Sequence, residues 1–361
     1  MLVNVLSFLT MRERIAIAEA SAHRTRFLVA LEIAGIADRV RRAWIEAVGA
    51  RERVAIAETI FEKTKIAAEL AARMAKAGNT SALDQSRIQV LKADTAAALG
   101  RARLAVQTSR ERLVREMGLW GEEARIQLPS RLEKLPKAAA ETDDVERKAI
   151  AKRLDLAAAR IEIEVMAAQL GLTERTARIS LLELSGLSTD VDEKGSGGEP
   201  GKSFTLRGVE LEISVPIFDR GEAKIATAEW SYLQAVERLR AMAVSARSEV
   251  REAYLNYRGL LDIARHYQLD VTPLRQKISE EELLRFNGML VGTFELITAS
   301  RQAAEATLAA VDAKRDFWLA DAQLDMTTLT GKGDGAATGG GAECGSVRRG
   351  RALENEKPPK A

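Results

Sequence analysis

The sequence predicts a mainly α protein, built from long antiparallel coiled-coil helices with one small β-hairpin. Three observations predict it. The chain repeats itself, ungapped, at an offset of 210 residues. A heptad stripe runs through the second copy. One segment ahead of that stripe alternates with a period of two.

The repeat is read residue against residue. Lys224-Ile225-Ala226-Thr227-Ala228-Glu229 restates Arg14-Ile15-Ala16-Ile17-Ala18-Glu19. Val250-Arg251 and Ala253-Tyr254 restate Val40-Arg41 and Ala43-Trp44, and Gly288 falls on Gly78. Each copy of such a repeat is one structural unit.

The elements follow in order. Residues 9–76 read as one long helix, closed by the turn Ala77-Gly78-Asn79-Thr80-Ser81. Ser81 is a candidate N-cap for a second helix to Met117, and Gly118 and Gly121 end it. Residues 122–140, with Pro129 and Pro136, form a connector. A helix is expected over 143–172. Ala177 to Leu187 then carries Ile179, Leu181, Leu182, Leu184 and Leu187, and a polar run from Ser188 to Gly201 is expected to be a long loop. From Val209 to Ile217 apolar and polar residues alternate, the pattern of a strand with two unlike faces.

After Phe218 the heptad stripe begins. Ile225, Tyr232, Leu239, Ala246, Ala253, Leu260 and Tyr267 recur every seven residues. Glu229, Val236, Ala243, Val250, Tyr257, Ala264 and Val271 recur four later, and only Glu229 is polar. Such a 3.5-residue seam is that of a coiled coil, and at 1.5 Å per residue it makes a rod of about 75 Å. Pro273 is expected to kink or interrupt it. A second turn, Phe286 to Thr293, leads to a return helix over 294–329. Residues 332–361, rich in Gly, Lys, Arg and Pro, are expected to be a disordered tail.

The organisation expected is therefore an incomplete first repeat over 1–136, a complete second repeat over 137–331 with its hairpin at 177–217, and the tail. The offset sets Met1 opposite Leu211, inside the second strand of the full unit. The first copy is expected to lack its leading helix, its first strand and part of its second, through truncation or a start codon assigned downstream.

Composition narrows function. Lys plus Arg is 54 against 52 for Asp plus Glu, so no concentrated basic face argues for nucleic acid. The single Cys344 allows neither an intramolecular disulfide nor a cysteine-based zinc site. His23 and His266 have no partnered cysteine. No nucleophile triad, phosphate-binding loop or metalloprotease motif is visible. No enzyme, cofactor or metal is expected. The first ten residues lack the basic region and cleavage site of a secretory signal, and no apolar stretch reaches the length of a transmembrane helix. From pattern alone, the hairpin reads equally as membrane-barrel strands or as a soluble cap on a helical bundle.

Residues 209–331 resemble the outer membrane factor family of efflux pumps, the TolC-like proteins. Val215-Pro216-Ile217-Phe218-Asp219-Arg220-Gly221 resembles that family's strand-to-helix junction, with Pro216, Phe218, Asp219 and Gly221 as its marked positions. Glu249-Val250-Arg251-Glu252-Ala253-Tyr254 resembles its long-helix motif. Asn287-Gly288-Met289-Leu290 with Phe294-Glu295-Leu296 resembles its lower turn, and Ala77 to Asp84 the equivalent turn of the first half. Arg153-Leu154-Asp155-Leu156 resembles the start of its second repeat.

The resemblance implies a homotrimer. Its hairpins would share an outer-membrane β-barrel in contact with lipid, and its rods would form a periplasmic α-barrel tunnel. It implies a passive export conduit that docks to a periplasmic adaptor and an inner-membrane pump. Adaptor docking falls on the tip turns: Gly78, Asn79, Thr80, Ser81 and Leu83 in one, and Gly288, Met289, Leu290, Val291, Gly292 and Thr293 in the other. Asp84 and Glu295, six and seven residues past a turn glycine, are candidate aperture acids or ordinary acids at helix N-termini. The glycines Gly78, Gly288 and Gly292 are expected to serve backbone needs first. The exported substrate is not legible: metal ions and organic compounds both fit. A soluble coiled-coil scaffold, or a fragment without function, is the alternative reading.

Overall fold

The computed structural model describes residues 2–4, 8–78, 81–139, 145–176, 181–193, 202–214 and 221–330. Strand β1 is Leu2–Asn4, helix α1 Met11–Lys76 and α2 Ala82–Glu116, followed by a 3-10 turn at Gly121–Ala124. Helices α3 (Val145–Lys152) and α4 (Leu154–Thr176) precede strands β2 (Leu181–Glu193) and β3 (Lys202–Ser214). Helix α5 (Glu222–His266) passes through a π-turn, Tyr267–Val271, into α6 (Thr272–Asn287), and α7 (Thr293–Leu329) returns. The chain is mostly helical, as its composition and heptads predict. The expected tail at 332–361 lies outside the described residues.

No proline precedes Pro129, so nothing breaks the backbone ladder of α1 over its 66 residues. At 1.5 Å per residue that is a rod of about 100 Å. Gly118 ends α2 with φ +67, the left-handed cap that glycine adopts without Cβ strain. The seam of α5 is buried where the heptads place it: Ala246, Val250, Ala253, Tyr257 and Ala264 are buried, and among the seam positions only Glu229 is exposed. Much of the core is alanine, which lets helix axes approach closely. Gly49 goes further, because a Cβ there would meet the Arg315 side chain at 3.3 Å.

The rods pack as α1 on α2 and on α7, with α7 also against α5 and α6. The connector crosses them halfway along. Leu132 enters a cluster with Ile45, Val48 and Ala322, and Leu135 and Ala139 pack on Tyr257, Leu261 and Phe317. The Leu132 N–H donates to Glu52 (3.1 Å) and Trp318 Nε1 donates to the Glu133 carbonyl (3.2 Å), which ties this irregular segment to the rods.

Two expectations need correction, and a third is sharpened. The single helix over 143–172 is two helices, α3 and α4, parted at Arg153. Asp155 is the cause. Its carboxylate accepts from the Leu156 N–H (2.8 Å) and from two nitrogens of Arg153 (3.1 and 2.7 Å), so a short acid competes with the backbone ladder. Second, the run from Ser188 to Glu193 is strand, not loop, paired in unbroken register with Lys202 to Arg207. Ladder bonds are backbone bonds, and a polar run that contains Thr189 and Val191 suits them as well as an apolar one. Residues 177–180, 194–201 and 215–217 of the expected hairpin lie outside the described residues. Third, Pro273 interrupts the regular α-helix with a π-turn but does not end the rod. The π-turn just before it widens the ladder, so the Thr272 N–H bonds the Tyr267 carbonyl five residues back, which makes room for a ring that clashes four residues back in a regular helix.

The sheet is antiparallel in the order β1-β2-β3. Strands β1 and β3 end at Asn4 and Ser214, a spacing equal to the repeat offset.

Halfway along the rods, Arg41 of α1 bridges Asp321 (2.8 Å) and Asp325 (2.6 Å) of α7. Burial, then the charge of Asp325, pushes the Asp321 carboxyl above its ordinary value of 3.8, and Arg41 offsets only part of this. For Arg41 itself burial works against the charge, but the hydrogen bond and charge of Asp325, with Asp321 and Asp38, more than compensate. The pair thus holds the arginine charged more firmly than the acid. An acid whose folded pKa is raised stabilises most below its unfolded value and loses that contribution as pH rises through the folded one. Denaturant unfolding of wild type and Asp321→Asn between pH 3.5 and 6.5 should therefore show wild type losing ground as pH rises. A slope of the opposite sign contradicts the assignment.

Candidate functional site

The two helix-to-helix turns, 211 residues apart at Lys76 and Asn287, meet at one end of the rods. Ala68 and Ala71 of α1, Ile88 of α2 and Ile297 of α7 form one buried cluster there. Thr293 Oγ1 reaches Met74 Sδ at 3.7 Å, and the Arg87 guanidinium lies over the Phe294 ring, 5.3 Å from its centroid. That cation–π contact joins the start of α2 to the start of α7.

In the first turn Gly78 has φ +77, a conformation that costs other L-residues about 1–2 kcal/mol. Ser81 caps α2: its Oγ accepts from the Asp84 N–H (3.1 Å) and donates to the Asp84 carboxylate (2.7 Å). Asp84 is also bridged by Arg87 at 3.3 Å. It is therefore a capping residue first. Leu83 is exposed. Asn79 and Thr80 lie outside the described residues.

The second turn differs from expectation at both glycines. Gly288 has φ −80 and Gly292 φ −82, ordinary values for any residue. The left-handed residue is Met289, with φ +58. Its side chain is 94 % exposed and Leu290 stands exposed beside it, while Val291 is half-buried and Thr293 buried. Gly292 serves a different need: a Cβ there would lie 2.8 Å from the Glu295 carboxylate, which folds back over the start of α7. The consequence is an unequal pair of substitutions. Gly78→Ala is expected to cost about 1–2 kcal/mol, whereas Gly288→Ala, whose Cβ would meet only ordinary contacts at 3.6 Å, should cost well under half as much. Equal losses in thermal unfolding would refute this.

At the strand-to-helix junction, Gly221 has φ +77 and its carbonyl accepts the Ile225 N–H at 3.0 Å, opening α5. Pro216, Phe218 and Asp219 lie outside the described residues. Sequence reasoning missed Arg87, Met74 and Phe294 as contacts across the tip. The one available signal was Arg87 standing three residues after Asp84, a helical ion-pair spacing.

Among the described residues no group of three or more His, Cys, Asp or Glu is placed to hold a metal ion. No described helix is long and apolar enough to cross a membrane. What the geometry offers is a pair of helical hairpins whose turns meet at one end, in a chain that also carries a three-stranded antiparallel sheet.

That architecture defines an elongated helical-hairpin protomer carrying an antiparallel sheet. Residues 145–331 match the outer membrane efflux protein family, and the chain belongs to it. Solved structures share the fold. The outer-membrane channel OprN superposes with a TM-score of 0.78 at 20 % identity, covering 91 % of this chain and 74 % of that one. A membrane protein from Pseudomonas aeruginosa gives 0.76 at 18 % identity, with 91 % and 76 % covered. The Campylobacter jejuni CmeC outer membrane channel gives 0.73 at 13 % identity, with 89 % and 68 % covered. No curated protein sequence matches the chain.

Proposed function

We propose that the chain is one protomer of a homotrimeric, passive export conduit in the outer membrane, with its helical rods forming a periplasmic tunnel. The observation that carries this is the sheet. Beyond the three residues that pair with β1, the described part of β2 has β3 as its one partner, and β3 pairs on one edge. A membrane strand needs every backbone polar group satisfied, so such edges call for closure by further strands. Sister copies supply them in a shared barrel.

The rods support the same reading. Trp230 of α5 is 70 % exposed, and Leu233, Val244 and Leu255 follow it along the helix; Ile15, Leu28, Val29 and Ile33 are exposed on α1. Extended apolar rows of this kind suit lateral packing against neighbouring rods. At the tip, Leu83, Met289 and Leu290 form the surface for a periplasmic adaptor, which couples the conduit to an inner-membrane pump. With Asp84 engaged by Ser81 and Arg87, Glu295 is the aperture acid. The protomer performs no catalysis: it supplies walls and a gate.

Membrane fractionation tests the reading. The protein should sediment with the outer membrane, leave it only with detergent, and weigh as a trimer by light scattering. A water-soluble monomeric or dimeric rod would refute it.

A further inference from the structure

The repeat relates surfaces as well as residues. Helix α1 of the first copy corresponds to α5 of the second, and α2 to α7. Inside the protomer the two copies meet where α1 packs on α7. The corresponding pair, α5 of the second copy and α2 of the first, is kept apart by α1 and α7, since α2 packs on α1 and α5 on α7. Along the long helices the copies match at 210 residues: buried Ala43 and Ala47 fall on buried Ala253 and Tyr257, and Gly49 falls on Gly259. Beyond the tip turns they match at 211: α2 starts at Ala82 and α7 at Thr293, Arg103 falls on Lys314, and Leu113 on Leu324. The α1–α7 contacts can therefore be carried onto α5 and α2.

We propose that the face of α5 carrying Glu252, Leu255, Gly259 and Asp262 packs on α2 of a second copy, and repeats there the contact that α1 makes with α7. These four residues follow one another at spacings of three, four and three, so they share one helical face. All four are exposed. The contrast with α1 is direct: Ile45 is 2 % exposed and its counterpart Leu255 68 %. A Cβ on Gly49 would meet Arg315 of α7, whereas a Cβ on Gly259 would meet nothing within 4 Å. The inference rests on the trimeric reading above and names the surface that such a trimer needs.

The chemistry carried over is complementary. Glu52 pairs with Lys314 (3.5 Å), and their counterparts are Asp262 and Arg103. Arg42 donates to Gln323, and their counterparts are Glu252 and Arg112, an acid and a base. The Arg315 side chain occupies the notch at Gly49, and its counterpart, the exposed Leu104, fits the notch at Gly259. Arg103 and Arg112 already bond Glu58 (2.9 Å) and Glu46 (2.8 Å) of α1, but the guanidinium fork keeps donors for a second carboxylate. Two contacts change character. Arg53 and Asp312 become Ile263 and Arg101, where an arginine stem can cover an apolar side chain. Arg41 and Asp321 become Arg251 and Arg110, which are engaged elsewhere, by Glu146 of α3 (3.4 Å) and by the Ala124 carbonyl (3.4 Å). One face of a copy set against a different face of the next is a head-to-tail contact, the kind that closes into a ring.

Disulfide trapping in the full-length chain tests this, with Cys344→Ser throughout so that no native cysteine remains. A Cβ on Gly49 lies 3.5 Å from the Arg315 Cβ, within the span of a disulfide. Gly49→Cys/Arg315→Cys should therefore close within one chain under copper–phenanthroline oxidation. Gly259→Cys/Leu104→Cys should instead link separate chains, in a ladder on non-reducing denaturing gels that ends at three, and neither single variant should give it. Should Gly259→Cys not fold, Asp262→Cys/Arg103→Cys with a short bismaleimide makes the same test. Trimers by light scattering in which the folded pair never links would overturn the proposal and leave the trimer standing. A protein that weighs as a monomer in detergent would overturn both.

Discussion

Replacing Arg153 by alanine is expected to destabilise the protein by about 3 kcal/mol, the low end for breaking a buried ion pair. Arg153 is 4 % exposed and forks onto Asp155 (2.7 Å) while reaching Glu249 of α5 (2.9 Å). Burial opposes its charge, but hydrogen bonds to both carboxylates raise its pKa further above the ordinary range, so it stays charged at any working pH. Deleting it leaves two carboxylates facing each other at the junction of α3, α4 and α5 without their shared cation. Those acids keep some contact with water, which is why the low end of the range applies. Removing Glu249 as well relieves part of that repulsion. The double variant Arg153→Ala/Glu249→Ala should therefore lose less than the sum of the single losses, by about 1 kcal/mol or more. Denaturant unfolding followed by circular dichroism measures both. A single variant within about 0.5 kcal/mol of wild type, the range of an ordinary surface change, contradicts this account.

The second large effect is Phe317→Ala, expected to cost about 3–5 kcal/mol. Phe317 is fully buried where the connector crosses the rods, 5.4 Å from the Tyr257 ring and 5.1 Å from the Trp318 ring. The cost of such a truncation depends on how far the surroundings collapse into the space. Here they include Ala253, Ala264 and Ala313, and alanines have no side chain to swing inward. The cavity should persist. Phe317→Leu, which keeps most of the volume, should cost less than half as much. With Trp44, Trp120 and Trp230 replaced by phenylalanine in both proteins, the remaining fluorescence reports the packing at Trp318, and a red-shifted emission should accompany the loss of stability. An alanine variant with unchanged emission and unfolding would mean that this cluster does not hold the rods.

How far the fold was legible follows from where its information is stored. The long rods are written locally. The heptads from Ile225 to Val271 name their own buried face, and the absence of proline before Pro129 leaves α1 nothing to break it. Long-range partners are not written. Nothing around Arg153 announces Glu249, 96 residues away. The division of α3 from α4 is written locally, in Asp155, but one short acid in a helical run is too weak a signal to mark a break. Side-chain alternation understates the strands, because the pairing of Asp190 with Thr205 and Glu193 with Lys202 rests on the backbone. The tip was legible only in part. Gly78 is expected to serve a backbone need, and its φ is +77. Gly288, its partner in the repeat, misleads: the left-handed residue is Met289, one position further on, just as α5 begins at Glu222, 211 residues after the start of α1 at Met11. Arg87 over Phe294 joins two helices whose adjacency only the folded chain creates.

The central claim is that this protomer helps build a water-filled conduit. Its most direct test is electrical. Protein extracted from the outer membrane and reconstituted in a planar bilayer should give discrete single-channel steps, and Glu295→Gln should lower cation preference, read as a shift in reversal potential under a salt gradient. A reconstituted protein that inserts and never conducts, in wild type and variant alike, would contradict the account.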